Sequence, residues 1–306
     1  MQKSSILVLS LIIVAVFGGF FFDDIQSGFT SITGWSLTNT TALSISISST
    51  APVIYYVSPL ASQTITESSS ISVGVVASVM DVDGIQTLRN SSAMNVSAAL
   101  SGEVTRTNLS CERMYDINTT AANYSCTLVI WYFDGAGDWT VNVSINDTSN
   151  SIADTKNTTF SLASTPSMVI APLSLTWSSI AMSSVNQSAS NNPIIINNTG
   201  NKPITDTNVK VTAIDLQGGT TATEYLRSVN FRVGPNTSSA PKIECAATVM
   251  VNQTATSIAG ATLAKGNNTN GYGNSTLYFC LANVTQGITP QTYSTTTSGK
   301  WTITIA

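Results

Sequence analysis

Carboxylates and cysteines are the side chains of this sequence that offer chemistry, because the 306-residue chain has no histidine. Ser-His-Asp and Cys-His nucleophiles, HExxH zinc sites and histidine-ligated metals are therefore excluded. The loop Asp81-Val-Asp83-Gly84 offers two carboxylates, which Asp134, Asp138 or Asp147 from a neighbouring hairpin can join. Oxygen ligands of this kind suit calcium, and we take Asp81, Asp83 and Asp134 as the candidate ligands. Asp-x-Asp-Gly is also good turn chemistry, and no glutamate completes an EF-hand loop.

The remaining residues give no support for catalysis. A glycosidase needs two carboxylates that face a cleft, and the five glutamates fall in no recognisable motif. Gly218-Gly219 lacks the lysine and the strand–loop–helix context of a phosphate loop. We therefore expect a protein that is not an enzyme and has no cofactor, with calcium as the one alternative. Twelve Lys and Arg against sixteen Asp and Glu also provide no basic field for nucleic acid.

Four cysteines fall two in each half of the chain, Cys111 with Cys126 and Cys245 with Cys280. In an exported chain with an even count, disulfide pairing within each half is the natural expectation. No CxxC spacing exists, which makes a zinc site a poor alternative, and free buried thiols are the other interpretation. Disulfides predict an oxidising location outside the cytoplasm.

The placement of asparagine points to the same location. Ser and Thr make up 86 of the 306 residues, so chance would give about seven N-x-[ST] sequons among the 25 asparagines. Sixteen sequons occur, and this excess predicts N-linked glycosylation, although polar turns also generate sequons by composition. The sequon asparagines are Asn39, Asn90, Asn95, Asn108, Asn118, Asn123, Asn142, Asn146, Asn157, Asn186, Asn197, Asn236, Asn252, Asn267, Asn274 and Asn283.

An uncharged stretch, residues 4–22, follows Lys3 and ends before Asp23 and Asp24. As a helix it reaches about 28 Å, enough for the core of a bilayer, and its flanking charges orient the remainder of the chain outward. Three interpretations stay open. The stretch is an uncleaved membrane anchor, a cleaved signal peptide that lacks small residues where cleavage requires them, or a pilin-like leader that bundles in a filament core.

The elements that position these residues begin with one isolated strand. Leu43, Ile45 and Ile47 alternate with serines and share one face of an extended segment within residues 36–51. A strand this isolated is not stable alone. It pairs either with a sheet of its own chain or, as a donated strand, with a neighbouring subunit.

The rest of the chain predicts an all-β protein with two antiparallel β-sandwich domains after the N-terminal hydrophobic helix. We place the helix and a linker in residues 1–35, the extended strand in 36–51, and the two domains in 52–165 and 166–306. Candidate strands are 54–57, 71–79, 94–100, 127–133 and 139–145 in the first domain, and 173–177, 193–196, 209–214, 229–233, 248–251, 277–281 and 301–305 in the second.

Four of the five tryptophans lie inside these strand patterns. We expect Trp131, Trp139, Trp177 and Trp301 to pack in the cores, because large aromatic side chains dominate core burial. Trp35 lies in the linker, where the pattern does not decide its role.

Two stretches resemble a known kind of module. The segment beginning LTWSS, with Ile-x-Ile-x-Asn198-Thr-Gly-Asn201, is similar to the immunoglobulin-like modules of archaeal and bacterial surface proteins. VMDVDGI and WYFDGAGDWTVNVSINDTSN likewise resemble immunoglobulin- or cadherin-like modules of envelope proteins. The resemblance covers about two-thirds of the chain and implies an immunoglobulin-like fold and a cell-surface location, as in surface proteins of archaea. A fold alone assigns no activity.

These patterns together predict a glycosylated structural protein at the cell surface, membrane-anchored or secreted. We expect it to assemble with itself into a filament (pilus) or a surface layer (S-layer), with residues 4–22 in the membrane or the filament core. The alternative is a membrane-anchored monomeric adhesin or receptor that binds a partner cell or glycan through loops such as Gly266–Gly273.

Overall fold

The computed structural model describes residues 41–88, 94–238, 240–267, 271–284, 286–295 and 299–306. The hydrophobic segment 4–22, Trp35, Asn39 and Asn90 lie outside the described residues, so the expectations placed on them stay predictions. In the part of the chain that the structure describes, no helix has the length and hydropathy needed to cross a bilayer.

The described chain is all-β, as predicted, with antiparallel strands throughout its sheets. It divides into two units, Met1–Ser48 and Ser49–Ala306. Three short 3-10 helices (Asp206–Asn208, Ser228–Asn230 and Ile243–Ala246) interrupt the strands of the second unit. Its strands are β1 Val53–Val57, β2 Ser70–Met80, β3 Met94–Ala99, β4 Arg106–Asn108, β5 Glu112–Asp116, β6 Ala121–Trp131, β7 Gly137–Ile145, β8 Lys156–Leu162, β9 Met168–Ala171, β10 Val185–Ser188, β11 Ile194–Asn198, β12 Val209–Thr212, β13 Leu216–Gly218, β14 Tyr225–Leu226, β15 Phe231–Gly234, β16 Thr248–Val249, β17 Ala255–Ser257, β18 Gly273–Asn283, β19 Tyr293–Ser294 and β20 Thr302–Ile305.

Two four-stranded sheets build the first half of the unit Ser49–Ala306. Their strand orders are β1-β2-β6-β5 and β4-β3-β7-β8. Each long strand alternates buried and exposed positions, so that one face of each sheet enters a shared hydrophobic core spanning Ile54 to Leu162. Trp139, fully buried, lies in this core and donates its indole N–H to Gly135 O at 3.0 Å.

A second hydrophobic core spans Ala189 to Leu281, with partly buried side chains from Met168 to Ile305 packed against it. The largest sheet around it has the order β16-β15-β18-β11-β9, and β10 also pairs with β18. A three-stranded sheet, β17-β12-β20, contributes Val209 and Val211 to the same core. The small sheet β14-β13-β19 completes the half. One core lies before and the other after residue 165, within the single unit Ser49–Ala306, and the division into two domains at this residue stays a prediction.

The junction between the two halves is held by the Asn198-Thr-Gly-Asn201 turn. Asn201 Oδ1 accepts from the Thr165 N–H at 2.7 Å, while its Nδ2 donates to Ala163 O at 2.9 Å. Ser68 N–H donates to Thr199 O at 3.1 Å, and Lys265 pairs with Glu103. Both asparagines of this turn are buried, but Asn201 alone binds the linker, whereas Asn198 Nδ2 donates to Lys202 O at 2.8 Å and to Ala264 O at 3.1 Å.

One predicted strand is wrong. Residues 173–177 form no ladder, because the side chain of Asn191 takes their backbone groups: its Oδ1 accepts from Thr176 N–H at 2.9 Å and its Nδ2 donates to Ser174 O at 2.8 Å. The strands that were not expected are β4, β5, β8, β9, β10, β13, β14, β17 and β19. β5 is exposed and charged, so it lacks the apolar alternation that reveals a strand.

Candidate functional site

The predicted assembly segment, residues 43–47, has no hydrogen-bonded strand partner within the described residues. Its apolar side chains are strongly exposed: Leu43 by 86%, Ile45 by 75% and Ile47 by 90%. Residues 41–48 are exposed throughout. Three neighbouring large aliphatic side chains on one face of a chain leave an apolar stripe that water solvates poorly, which is the property of a binding segment.

The two residues that follow residues 41–48, Ser49 and Thr50, are hydrogen-bonded to two loops of the first half. Ser49 Oγ lies 3.1 Å from Asp83 Oδ2 and 2.8 Å from Asp147 Oδ2, and Thr50 N–H donates to Asp83 at 2.6 Å. Asp81 accepts from Thr87 Oγ1 at 2.7 Å and from Asp83 N–H at 3.0 Å. The Asp81–Asp83 loop therefore meets Asp147, as one of the sequence alternatives proposed, with Ser49 between them.

Asp134, the third candidate calcium ligand, is engaged elsewhere. Its buried carboxylate accepts from Arg106 Nε at 3.0 Å and from Trp131 N–H at 2.7 Å. A guanidinium paired with a carboxylate neutralises it and occupies its oxygens. In the described residues no three acidic or cysteine side chains are arranged to hold a metal, so Asp81, Asp83 and Asp134 do not come together as the expected set. Calcium binding stays a prediction.

Two disulfides join Cys111 to Cys126 and Cys245 to Cys280, the same pairing that the sequence predicts. The first connects the residue directly before β5 to β6, and the second connects a 3-10 helix to β18. Their sequence separations are 15 and 35 residues. The described chain has no free cysteine.

Every sequon asparagine that the structure describes, fourteen in all, is at least partly exposed. By contrast Asn198 and Asn201, the buried asparagines of the described chain, stand outside sequons. Several sequon side chains are already hydrogen-bonded. Asn108 Nδ2 donates to Thr127 O at 2.8 Å and Asn123 Nδ2 to Tyr115 Oη at 2.6 Å, while Asn118 Oδ1 accepts from Thr120 N–H at 2.8 Å and Asn252 Oδ1 from Asp215 N–H at 3.1 Å. The exposed ones are Asn118, Asn157, Asn186, Asn236, Asn252, Asn267, Asn274 and Asn283, and the half-buried ones are Asn95, Asn108, Asn123, Asn142, Asn146 and Asn197.

A groove of about 310 Å³ lies between β4 and the outer face of β6, with Arg106, Asn108, Thr127 and Trp131 among its lining residues. We expected Trp131 in the core, but it is 41% exposed because Leu128 and Ile130 take the inward positions of β6. In the sequence, the position of Trp131 directly after the apolar Ile130 predicts that its side chain points outward from β6. An exposed aromatic face beside hydroxyl and amide groups is a common arrangement for binding a sugar ring.

The other tryptophans match the expectation more closely. Trp139 is fully buried, and Trp177 and Trp301 are partly buried against the second core. The rings of both contact Phe231 edge-on, at centroid distances of 5.5 and 5.3 Å.

Acidic side chains of the second half are held by hydroxyl and amide donors. Hydrogen bonds from the Thr289 hydroxyl and N–H, and from Tyr293 and Gln291, lower the pKa of Glu224 to about 2. Burial raises the pKa of Glu244, but hydrogen bonds led by that from Ser188 Oγ at 2.8 Å lower it overall. These carboxylates are fixed in the charged state as structural acceptors.

The loop Gly266–Gly273, which we expected to carry recognition in the adhesin alternative, is engaged at its ends. Tyr272 lies 5.4 Å from Tyr132 between ring centroids, and Lys265, next to the loop, pairs with Glu103 of the first half. Gly266 is buried. These contacts make the ends of the loop part of the junction between the two halves.

Comparison with known proteins gives no family. No protein-family model matches the chain, and no curated protein sequence matches it. Among solved structures, a fragment of titin is similar at 12% identity over 78% of this chain and 86% of its own, with a TM-score of 0.27. A complex of the chaperone CsuC with the tip adhesion subunit CsuE, from Csu pili of Acinetobacter baumannii, is similar at 10% identity over 82% of this chain and 99% of its own, with a TM-score of 0.31. With TM-scores this low, the fold assignment rests on the strand order and cores described above.

Proposed function

We propose that this chain is a non-catalytic, N-glycosylated structural subunit that works outside the cell and assembles with itself into a cell-surface filament or surface layer. Its two halves are immunoglobulin-like sandwiches, and residues 4–22 supply the membrane anchor or the filament core. The observation that carries the proposal is the exposed apolar stripe of Leu43, Ile45 and Ile47. An exposed stripe of this kind is retained where a partner covers it.

The location outside the cell is supported by the disulfides and by the asparagines. Two disulfides persist in an oxidising compartment. Sequons at surface positions, with buried asparagines outside them, are what an oligosaccharyltransferase substrate requires. Only 9% of the residues are charged, so glycans and the 86 serines and threonines would keep the surface soluble in place of charges.

A non-catalytic role is supported by the way the buried carboxylates are used. Asp134 is paired with Arg106, Asp215 with Arg227, and Glu244 accepts from hydroxyl groups. Each carboxylate holds two elements of the fold together. None is a free acid or base beside the groove at Trp131.

Deletion of residues 41–50 tests the assembly. We expect the deleted protein to remain monomeric in sedimentation and on electron-microscopy grids, while its circular dichroism keeps the β-sheet signal. A milder change is Leu43→Asp, and its matched control is Leu173→Asp, because both leucines are 86% exposed. The proposal fails if Leu43→Asp and Leu173→Asp assemble equally well.

A second candidate function, a monomeric adhesin that binds a glycan, is favoured by the groove beside Trp131. The half-exposed indole would stack on a sugar ring while the hydroxyl groups of Thr107 and Thr127 donate or accept hydrogen bonds. Glycan-array binding of the wild-type protein and of Trp131→Ala tests it. Binding that is lost in Trp131→Ala by a protein that sediments as a monomer favours this function over assembly.

A further inference from the structure

We propose that residues 43–47 of one copy, the donor segment, add as an extra strand to the open edge of β20 in a second copy. This inference rests on the proposed self-assembly and names the surface that receives the segment. Added strands of this kind gain affinity from backbone hydrogen bonds and specificity from alternate side chains.

The donor segment has what an added strand needs. It is uncharged, and its serines alternate with Leu43, Ile45 and Ile47, which are among the most exposed large apolar side chains of the described chain. Its backbone forms no ladder within the described residues. Pairing with an open edge would satisfy this backbone and cover the apolar stripe in one step.

The edge of β20 offers the matching pattern. β20 pairs with β12 along one side, and no described strand pairs with its other side. Ile303 and Ile305 are half-buried against the second core, while Thr302 and Thr304 are exposed. A donor beside β20 would therefore place its apolar residues next to Ile303 and Ile305, and its serines next to the threonines.

Prolines disfavour strand addition at two other edge strands, β1 and β9. β1 lies between Pro52 and Pro59 and has an irregular register, and β9 lies between Pro166 and Pro172. Proline next to an edge strand hinders the extension of the ladder, because it has no N–H to donate.

Charged residues and sequons disfavour strand addition at the edge strands β5, β8 and β10. β5 carries Glu112, Arg113 and Asp116, β8 carries Lys156 and a sequon, and β10 carries a sequon at Asn186. Charges hinder strand addition at an edge, and a glycan would block it by its bulk. Among the described edge strands of four or more residues, β20 alone has no proline, charge or sequon within the strand or directly next to it; the nearest charge is Lys300, separated from β20 by Trp301.

The donor segment and the acceptor edge of β20 are different surfaces of the chain, and this limits the kinds of assembly that they form. A donor segment that binds a distinct acceptor edge makes a heterologous contact, in which each copy receives one strand and donates another. Contacts of this kind produce rings or open filaments, whereas two copies that exchange their segments reciprocally form a closed swapped dimer.

Cysteine cross-linking tests the acceptor edge. Ser46→Cys is combined with Thr304→Cys on β20, and the matched control combines Ser46→Cys with Ala255→Cys, an exposed residue of β17 at the opposite edge of the same sheet. We expect a ladder of covalent oligomers with the first pair and not with the second, and a mass-spectrometric peptide that links positions 46 and 304. Hydrogen exchange of the wild-type protein should slow at least tenfold on assembly at those amides of residues 302–305 that point away from β12, and stay unchanged at 255–257.

The outcomes separate the acceptor from the assembly itself. Wild-type protein that assembles while position 46 links to position 255, or while the amides of β20 exchange as in the monomer, overturns β20 as the acceptor and leaves self-assembly standing. Wild-type protein that stays monomeric under native conditions overturns both proposals.

Discussion

The hydroxyl of Ser49 lies 2.8 Å from the carboxylate of Asp147, a residue 98 positions further along the chain. The same hydroxyl lies 3.1 Å from Asp83. A hydroxyl has one proton to donate, so it satisfies one carboxylate at a time while keeping the two apart. The residues that lead into β1 are therefore fixed to two loops of the first half.

Replacement of Ser49 by alanine should destabilise the first half. The change removes a hydroxyl hydrogen bond to charged groups and leaves the buried Asp147 with one donor fewer, so we expect a loss of about 1–2 kcal/mol in urea unfolding. Thr50→Ala is the control, because Thr50 binds Asp83 through its backbone N–H, which alanine keeps. The Thr50→Ala protein should stay within about 0.5 kcal/mol of wild type. An equal loss in both variants would refute the role of the hydroxyl.

The glycine at position 200 should not tolerate a side chain. A Cβ there would fall inside the contact distance of Thr165 O, a backbone atom of the linker. We expect Gly200→Ala to cost at least about 2 kcal/mol and to increase proteolysis of the linker. Gly74 in β2 has open space around the same position, so Gly74→Ala should be neutral or stabilise by about 0.4–1 kcal/mol. Thermal unfolding of the two variants side by side measures the difference.

Loss of either disulfide should lower stability according to the length of the loop it closes. With separations of 15 and 35 residues, chain entropy gives about 3 kcal/mol for Cys111–Cys126 and about 4 kcal/mol for Cys245–Cys280. Double serine variants, one for each pair, are compared by guanidinium unfolding. Wild-type stability in both variants would contradict the entropic argument.

The contacts of Glu224 predict a pH dependence with a definite sign. Hydrogen bonds from Thr289 lower its pKa from 4.5 to about 2 in the folded protein, so its contribution is complete above about pH 5 and disappears as the pH falls toward 2. Glu224→Gln lacks this contribution. The difference in thermal midpoint between wild type and Glu224→Gln should be constant above pH 5 and shrink below it. A difference in thermal midpoint that grows as the pH falls would contradict this prediction.

Glycan occupancy should follow the geometry of the asparagine side chains. Asn118, Asn157 and Asn236 are exposed, and glycopeptide mass spectrometry of protein from its natural source should find them occupied. Asn123 is half-buried and its amide donates to Tyr115, so its occupancy should be lower when the fold forms before transfer. Tyr115→Phe frees that amide and should raise occupancy at Asn123 alone. Uniform absence of glycan would remove the argument from the sequons.

The sequence predicts the long strands well because their signal is local. β7 alternates apolar and polar residues over most of its nine positions and β2 does so in part, and the burial pattern follows that alternation; β6 is predicted only from residue 127, although it begins at Ala121. The residue type of Trp131 predicts burial, whereas its position in the alternation of β6 predicts exposure, and the structure follows the alternation. Charged β5 forms by pairing with β6, a cause that the residues of β5 do not display.

Contacts between distant residues could not be predicted. The choice of Asp147 over Asp134 as the neighbour of Asp83 depends on where two hairpins end in space, and both candidates had the same residue type. Whether an edge is open likewise depends on its partners: residues 301–305 read as an ordinary strand, and only the sheet order leaves one side of β20 without a described neighbour. Long-range relations of this kind are set by tertiary packing.

The hydrogen bonds of Ser49 also affect how the folded unit bears a pulling force. Tension that reaches the folded unit through residues 41–48 arrives at Ser49 and Thr50 before it arrives at Val53, the first residue of β1. The load is then shared with Asp83 and Asp147, near the ends of two inner strands, β2 and β7, and the edge strand is shielded from being peeled away residue by residue.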